Sequence, residues 1–397
     1  MLNNQVVLIS GAGIGGLAAA LALSNVGIPS VVLERAPELG EIGAGIQLGP
    51  NAFHSFDYLG IGDEARKIAV FVETIKVMDA TTAEQVVSIP LDANFRTRFK
   101  NPYAVIHRGE LHSLILRYCN ASELITLRTN CEVRSYEQDE HGVTAFLATG
   151  EKVSGAALVG ADGLRSNVRA QVIRDGEPRI SGHTTYRSVI PTEQMPEQLR
   201  WNAMTIWIGP KCHMVHYPLS DWKAFNLVIT SDNGAADPVA GVSASKEEVR
   251  RNFAHIHPTA VQIIEHGENW KYWVLCDREP VTNWRDGKVV LLGDAAHPML
   301  QYMAQGACMA LEDAVRLAHE VDRSSRDFEH AFEAYRLARI GRTGRVQTSA
   351  RQMGELIFHQ AGEGAKARNV KLSSMSLEDY YDAASWLYDG SGLSGVS

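Results

Sequence analysis

The sequence predicts an α/β fold with a mostly parallel sheet, joined to a second, α+β domain built on a mostly antiparallel sheet. Three observations predict it. The chain opens on an apolar run, Val6 to Ile9, that yields to Gly11, Gly13 and Gly16 and then to an alanine-rich apolar stretch. Two later apolar runs, 153–160 and 289–292, also end in turns containing Gly and Asp. Between residues 177 and 277 helical periodicity is scarce, and short β-rich runs at 205–208, 213–217 and 225–230 replace it.

The first stretch has a specific physics. A strand, the spacing G-x-G-x-x-G and an immediate helix form the fingerprint of a Rossmann-like dinucleotide site. Gly11 permits the tight turn, Gly13 lets a pyrophosphate reach the backbone, and Gly16 lets the helix lie close on the strand. The helix N-terminus offers unpaired N–H groups and the positive end of its dipole to phosphate. A second strand, 30–33, ends in Glu34, about 20 residues past the glycines, where a carboxylate accepts from ribose hydroxyls.

The segment 39–50, LGEIGAGIQLGP, reads as a glycine-rich loop held against something flat. A helix is expected from Asn51 to Leu59, a hairpin over 74–89 around Thr81-Thr82-Ala83, a short strand over 101–106 and an amphipathic helix over 108–120. Strands return over 124–146, and 153–160 reads as one apolar strand. Residues 246–257 read as a charged helix inside the second domain, and 304–321 as a strong helix with Leu311, Ala314, Val315 and Ala318 inward. The tail after Ser385 ends in Gly and Ser and is expected to fray.

Composition narrows the class. A chain of 397 residues holds a large core, and 45% hydrophobic with 21% charged residues describes an ordinary globular protein. The net charge of -8 argues against a nucleic-acid partner. The first residues lack a charged and apolar leader pattern, and no apolar stretch reaches the roughly 20 residues of a membrane span. Five scattered cysteines without C-x-x-C predict free thiols, no metal centre and a cytoplasmic protein.

Taken in order, GAGIGG, Glu34-Arg35, HRGEL at 107–111, GADGLRSNVR at 160–169, GDAAHP at 293–298 and QGACMALEDA at 305–314 resemble the signature set of the FAD-dependent aromatic hydroxylases. The resemblance covers almost the whole chain and implies a fold like that of para-hydroxybenzoate hydroxylase. It implies an FAD-binding domain made of 1–73, 107–176 and 279–350. The hairpin 74–106 and residues 177–278 would form the substrate domain, and 351–397 a C-terminal helical segment and tail. Gly11, Gly13, Ile14, Gly15 and Gly16 would meet the FAD diphosphate, with Glu34 and Arg35 toward the adenosine. Arg108 and Asp294 would hold the ribityl and phosphate region, and Asp162 the turn shared by FAD and nicotinamide. Gln47, Gly306 and Ala307 would lie near the flavin, with the 43–49 loop facing its ring and a helix dipole favouring the anionic reduced form. The resemblance further implies NADH as cosubstrate, O2, a C4a-hydroperoxide attacked by an electron-rich ring, and a homodimer.

The ring chemistry sets demands that residues must meet. A phenol with pKa about 10 loses its proton to a histidine near 6.5 only uphill, by about 4.8 kcal/mol, so the site must also stabilise the phenolate. On the strand KCHMVHYP, His213 and Tyr217 share a face and His216 points the other way. With Gln301 and Tyr302 after GDAAHP, these residues are most similar to the branch of the family that acts on 3-hydroxybenzoate para to its phenol. That resemblance assigns His213 as base, Gln301 as the group orienting substrate or oxidant, and Tyr217 and Tyr302 as substrate-binding. His216 reads as structural or exposed, and His297 as shaping a turn. No arginine claims the substrate carboxylate, leaving backbone N–H groups or Tyr217. Arg336, Arg339, Arg342 and Arg345 read as a solvated basic stripe, the alternative being contact with an anionic lipid or partner. A decarboxylating salicylate or 6-hydroxynicotinate hydroxylase is the rival within the family. An NADH oxidase or flavin reductase, and a non-catalytic flavin-binding regulator, are the rivals outside it.

Overall fold

The computed structural model describes residues 6–40 and 45–396. Its first sheet has six strands in the order Arg285–Asp286, Val289–Leu291, Ala157–Gly160, Val7–Ser10, Ser30–Leu33, Ile125–Arg128. All pair in parallel except the edge strand Arg285–Asp286. Register is the decisive feature for the site. Ser10 sits opposite Gly160, and Gly160 opposite Leu291, so the three glycine turns leave the same carboxyl edge side by side. That edge is where parallel sheets bind ligands.

The helix Ile14–Asn25 is buried along nearly its whole length and packs against the helix Gly306–Arg323. Its apolar character on all sides follows from that two-sided burial. Gly16 lets the helix lie close on the turn after the first strand: a Cβ there would stand 2.0 Å from the Gly11 carbonyl oxygen.

The second sheet has eight strands, running Ala240–Ser243, Lys271–Asp277, Arg179–Pro191, Ala224–Asp232, Cys212–Leu219, Ala203–Gly209, Thr74–Asp79, Gln85–Pro90. Every pairing is antiparallel except Ala203–Gly209 with Thr74–Asp79. One face buries Trp207, Met214 and Phe225 beneath the helices Lys246–Asn252 and Pro258–Glu265. Cys212–Leu219 is buried at every position because its other face is covered too.

Several expectations need correction. The glycine-rich 39–50 segment is not all loop: Gly45–Leu48 is a strand paired with Ala104–His107. Gly45 marks a close approach, since a Cβ would lie 2.6 Å from the Tyr217 ring. Residues 41–44 of that segment, with Gly43, lie outside the described residues. The apolar run 153–160 is two strands. Lys152–Gly155 pairs with Gly142–Leu147, and Ala157–Gly160 enters the first sheet. The charged helix stops at Asn252, and a new one starts at Pro258, with His257 before it kept out of helical geometry by that proline. The later helix begins at Gly306, not 304, as Ala304 is left-handed with φ 53°.

The tail does not fray at Ser385. Leu387 is buried, Leu393 packs on the main core, and Arg316 donates to the Ser394 carbonyl. Nor do the four arginines form a solvated stripe. Arg339 is fully buried between Glu312 and Asp313, and Arg342 joins it on Glu312. All five cysteines are free. Among the described residues no helix is long and apolar enough to cross a membrane.

Candidate active site

The dinucleotide end is built by backbone. Gly11 holds φ 103°, and a Cβ there would meet the Ala161 carbonyl oxygen at 2.5 Å. Gly13 is the N-cap of the first helix and no side chain caps it, so the turn's N–H groups stay available. Glu34 Oε2 accepts from Ala12 N at 2.8 Å and Oε1 from Ala36 N at 2.8 Å, which ties the second strand's carboxylate to the fingerprint turn. Arg35 beside it is exposed. His112, which sequence reasoning passed over, is buried with Nε2 on the Ala12 carbonyl at 2.8 Å and fixes the same turn.

Asp162 turns inward. Its carboxylate accepts from the Ser166 hydroxyl and from Asn167 and Val168 N–H, capping the helix Asn167–Val172, while neighbouring Gly163 lines the cavity below. Burial nevertheless raises its pKa, against those hydrogen bonds.

A cavity of about 1170 Å³ runs from this edge to the second sheet. It exceeds the ~300–1,000 Å³ of a single-ligand pocket. Gly13, Ile14, Gly15, Gln47 and Arg108 line it, with Asp294, Gly306 and Ala307 across from them. Asp294 lies deep in the protein, yet its surface is open, and that opening is the cavity; burial raises its pKa. The first turn of Gly306–Arg323 has no side-chain cap and presents Gly306 and Ala307 to the same space.

The turn bearing Asp294 is held from behind. Asp313 accepts from Gly293 N at 3.0 Å, His297 Nε2 at 2.5 Å and Arg339 Nε at 2.6 Å. Burial alone would raise the Asp313 pKa, but His297 and Arg339 outweigh it and hold it at about 2. His297 is therefore a wholly buried link in this support.

At the far end the second sheet supplies the side chains. Register sets Thr185, Thr230 and His213 in one row, and Arg187, Val228 and Val215 in the next. Residues directly opposite share a face, so His213, Tyr217 and Arg187 point to the cavity. His216 points away, buried between Trp201 and Phe225, and burial takes its pKa to about 3.

His213 is buried against Phe358, 4.6 Å between ring centroids, with Nδ1 2.9 Å from His359 Nε2. Its Nε2 has no protein partner among the described residues. Burial, then His359 and His183, hold its pKa well below 6.5. Gln47 Oε1 accepts from the Tyr103 hydroxyl at 2.6 Å, and burial raises the Tyr217 pKa, with Arg187 and Gln47 opposing. Tyr302 gives its ring to the cavity, but its hydroxyl is 2.5 Å from His183 Nδ1. Gln301 donates through Nε2 to Thr185 and Thr230 at 3.0 and 3.1 Å and accepts from Arg187 Nη2 at 2.9 Å.

Arg187, which the sequence reading did not single out, lines the cavity. Its Nε is buried without a partner, no acidic side chain pairs with it among the described residues, and its guanidinium lies 5.3 Å from the Trp273 ring. Burial lowers its pKa. The sequence signal was an arginine inside the run Thr184-Thr185-Tyr186-Arg187-Ser188-Val189, with nothing to say which face it takes.

A family model described as FAD binding domain matches residues 4–325. A 3-hydroxybenzoate 6-hydroxylase 1 of Aquipseudomonas alcaligenes is 54% identical over 98% of both chains. A 3-hydroxybenzoate 6-hydroxylase of Polaromonas naphthalenivorans is 47% identical over 96% of this chain and 95% of the other. Among solved structures, Klebsiella pneumoniae HpxO complexed with FAD and uric acid superposes with a TM-score of 0.84 at 25% identity, covering 98% of this chain and 96% of that one. The open phosphate-binding turn, the cavity-facing Asp294 and the uncapped helix at Gly306 fit FAD. The chain belongs to the family of FAD-dependent aromatic hydroxylases and is a flavoprotein monooxygenase.

Proposed function

We propose that the protein hydroxylates 3-hydroxybenzoate at carbon 6, para to its phenol, consuming NADH and O2 and giving 2,5-dihydroxybenzoate (gentisate). The observation that carries this reading is the buried, acid-free Arg187 on the same sheet face as His213. Two strand spacings and two residues separate their Cα atoms by roughly 12 Å. Side chains rising from one sheet face at that separation can hold the two polar ends of a small aromatic acid between them. The names of the similar proteins point to the same ring acid.

In this reading FAD, when bound, supplies electron transfer from NADH and activation of O2. Gly13–Gly15, Arg108, Asp294, Gly306 and Ala307 would hold it. Arg187, held in place by Gln301, binds the carboxylate. His213 Nε2 takes the phenol proton, raising electron density at the ring carbon para to that oxygen. Val215, Val228 and Tyr302 exclude water.

The test is a panel of hydroxybenzoates on purified holoprotein, following NADH oxidation, O2 uptake and products together. Gentisate formed in step with NADH oxidation is expected. A product lacking the carboxylate, or hydrogen peroxide alone for every ring, would overturn the proposal.

A further inference from the structure

We propose that His359 is the exit for the phenol proton, passing it from His213 toward the exposed carboxylate of Asp232. This rests on the base role of His213 just proposed. The geometry begins at the 2.9 Å contact between His213 Nδ1 and His359 Nε2, with the two rings stacked at 5.1 Å. Beyond it, His183, Asp232 and His359 each place a nitrogen or carboxylate oxygen within 4.8 Å of the others. One water bridges such a gap. His183 Nε2 stands 3.7 Å from Asp232, whose side chain is 39% exposed.

Local backbone explains the arrangement. Met353–Phe358 is a π-helical turn closed by His359 N on the Gly354 carbonyl at 3.0 Å. Gly354 has no side chain because a Cβ would meet the Tyr302 ring at 2.5 Å. The wider turn sets consecutive residues, Phe358 and His359, against one ring of His213. Such insertions concentrate at functional sites.

A relay is needed because the pocket is a poor place for an imidazolium. His213 is enclosed, and burial first, then the neighbouring His359 and His183, oppose a positive charge on it. The outer end differs. Burial and Arg179 lower the His183 pKa, while Asp232, Glu355 and Asp277, absent around His213, work the other way. His359 is also a weak base, since burial takes its pKa to about 3, so the proton is handed through it in a concerted shift with atoms balanced. The phenol O–H bond breaks as His213 Nε2–H forms. His213 Nδ1–H is lost to His359 Nε2, and His359 releases its other ring proton outward. Reversal of the sequence reprotonates the product oxygen and restores both tautomers.

The test mixes 3-hydroxybenzoate with oxidised holoprotein in weak buffer and follows two signals, the ultraviolet band of bound phenolate and proton release to an indicator dye. His359→Phe and His359→Ala should bind the ligand with unchanged affinity but ionise it about tenfold more slowly, and imidazole should restore the rate in His359→Ala. Wild-type rates of ionisation and release in both variants would overturn the relay, as would ionisation without proton release in the wild type. If the wild type binds no hydroxybenzoate, the substrate reading fails instead. 15N spectra of the His213 ring then decide the relay: loss of its hydrogen-bonded Nδ1–H signal in His359→Ala supports it, and no change overturns it.

Discussion

Arg187 Nη2 donates to Gln301 Oε1 at 2.9 Å, joining the second sheet to the turn that follows Pro298. That bond uses the amide oxygen of Gln301, while the amide nitrogen is spent on Thr185 and Thr230. Gln301 is thus held at three points, and Arg187 keeps further donors for a ligand.

Replacing Arg187 by Met should raise KM for the hydroxybenzoate by about 10- to 100-fold while kcat falls less, as loss of a charge-assisted bond costs about 1.5–3 kcal/mol. The corresponding benzamide, which carries no anion, should lose little on the same substitution. Steady-state kinetics with both ligands check this.

His213→Ala should lower kcat by about 10²–10⁴-fold and abolish the phenolate band of the bound ligand. The pH dependence has a definite sign. Burial and the two neighbouring histidines keep the His213 pKa well below 6.5, so Nε2 retains its lone pair as pH falls through 6.5. The acidic limb of kcat/KM should therefore lie below that value.

Arg339→Met should destabilise the protein by about 3–5 kcal/mol, because buried Glu312 and Asp313 would lose their shared cation and keep only Arg342 and His297. Thermal unfolding and FAD retention read this out. The Asp313 pKa is lowered from 3.8 to about 2, so its contribution to stability is complete above pH 3.8 and lost as pH falls through about 2. In the variant this acid-sensitive increment should shrink.

Gly45→Ala should weaken substrate binding with little loss of FAD. Its Cβ would press on the Tyr217 ring at 2.6 Å, while Gly45 N is anchored to Asn226 Oδ1 at 2.8 Å, so the ring must move. Binding titrations with wild type and variant check it.

The first sheet was legible because its three central turns carry glycines for steric reasons that composition cannot hide. The pairing of His213 with Tyr217 on one face followed from strand periodicity alone. Gly45–Leu48 was hidden because the same glycines that signal loops also permit close approach. The break at Ala156 was hidden because an apolar run carries no mark where it changes sheet. The four arginines misled because spacing of three winds around a helix, so they do not share one face. Glu312 and Asp313, which claim two of them, lie 27 and 26 residues from Arg339 in sequence. Arg187 depended on the register of three strands, which no local pattern encodes.

The alignment of Ser10, Gly160 and Leu291 also fixes when the enzyme can acquire its flavin during synthesis. The strand that completes this line ends at Leu291, and the helix whose first turn opens onto the cavity ends at Arg323. A nascent chain therefore emerges through most of its length unable to grip the coenzyme, and loading comes as a late event in biogenesis.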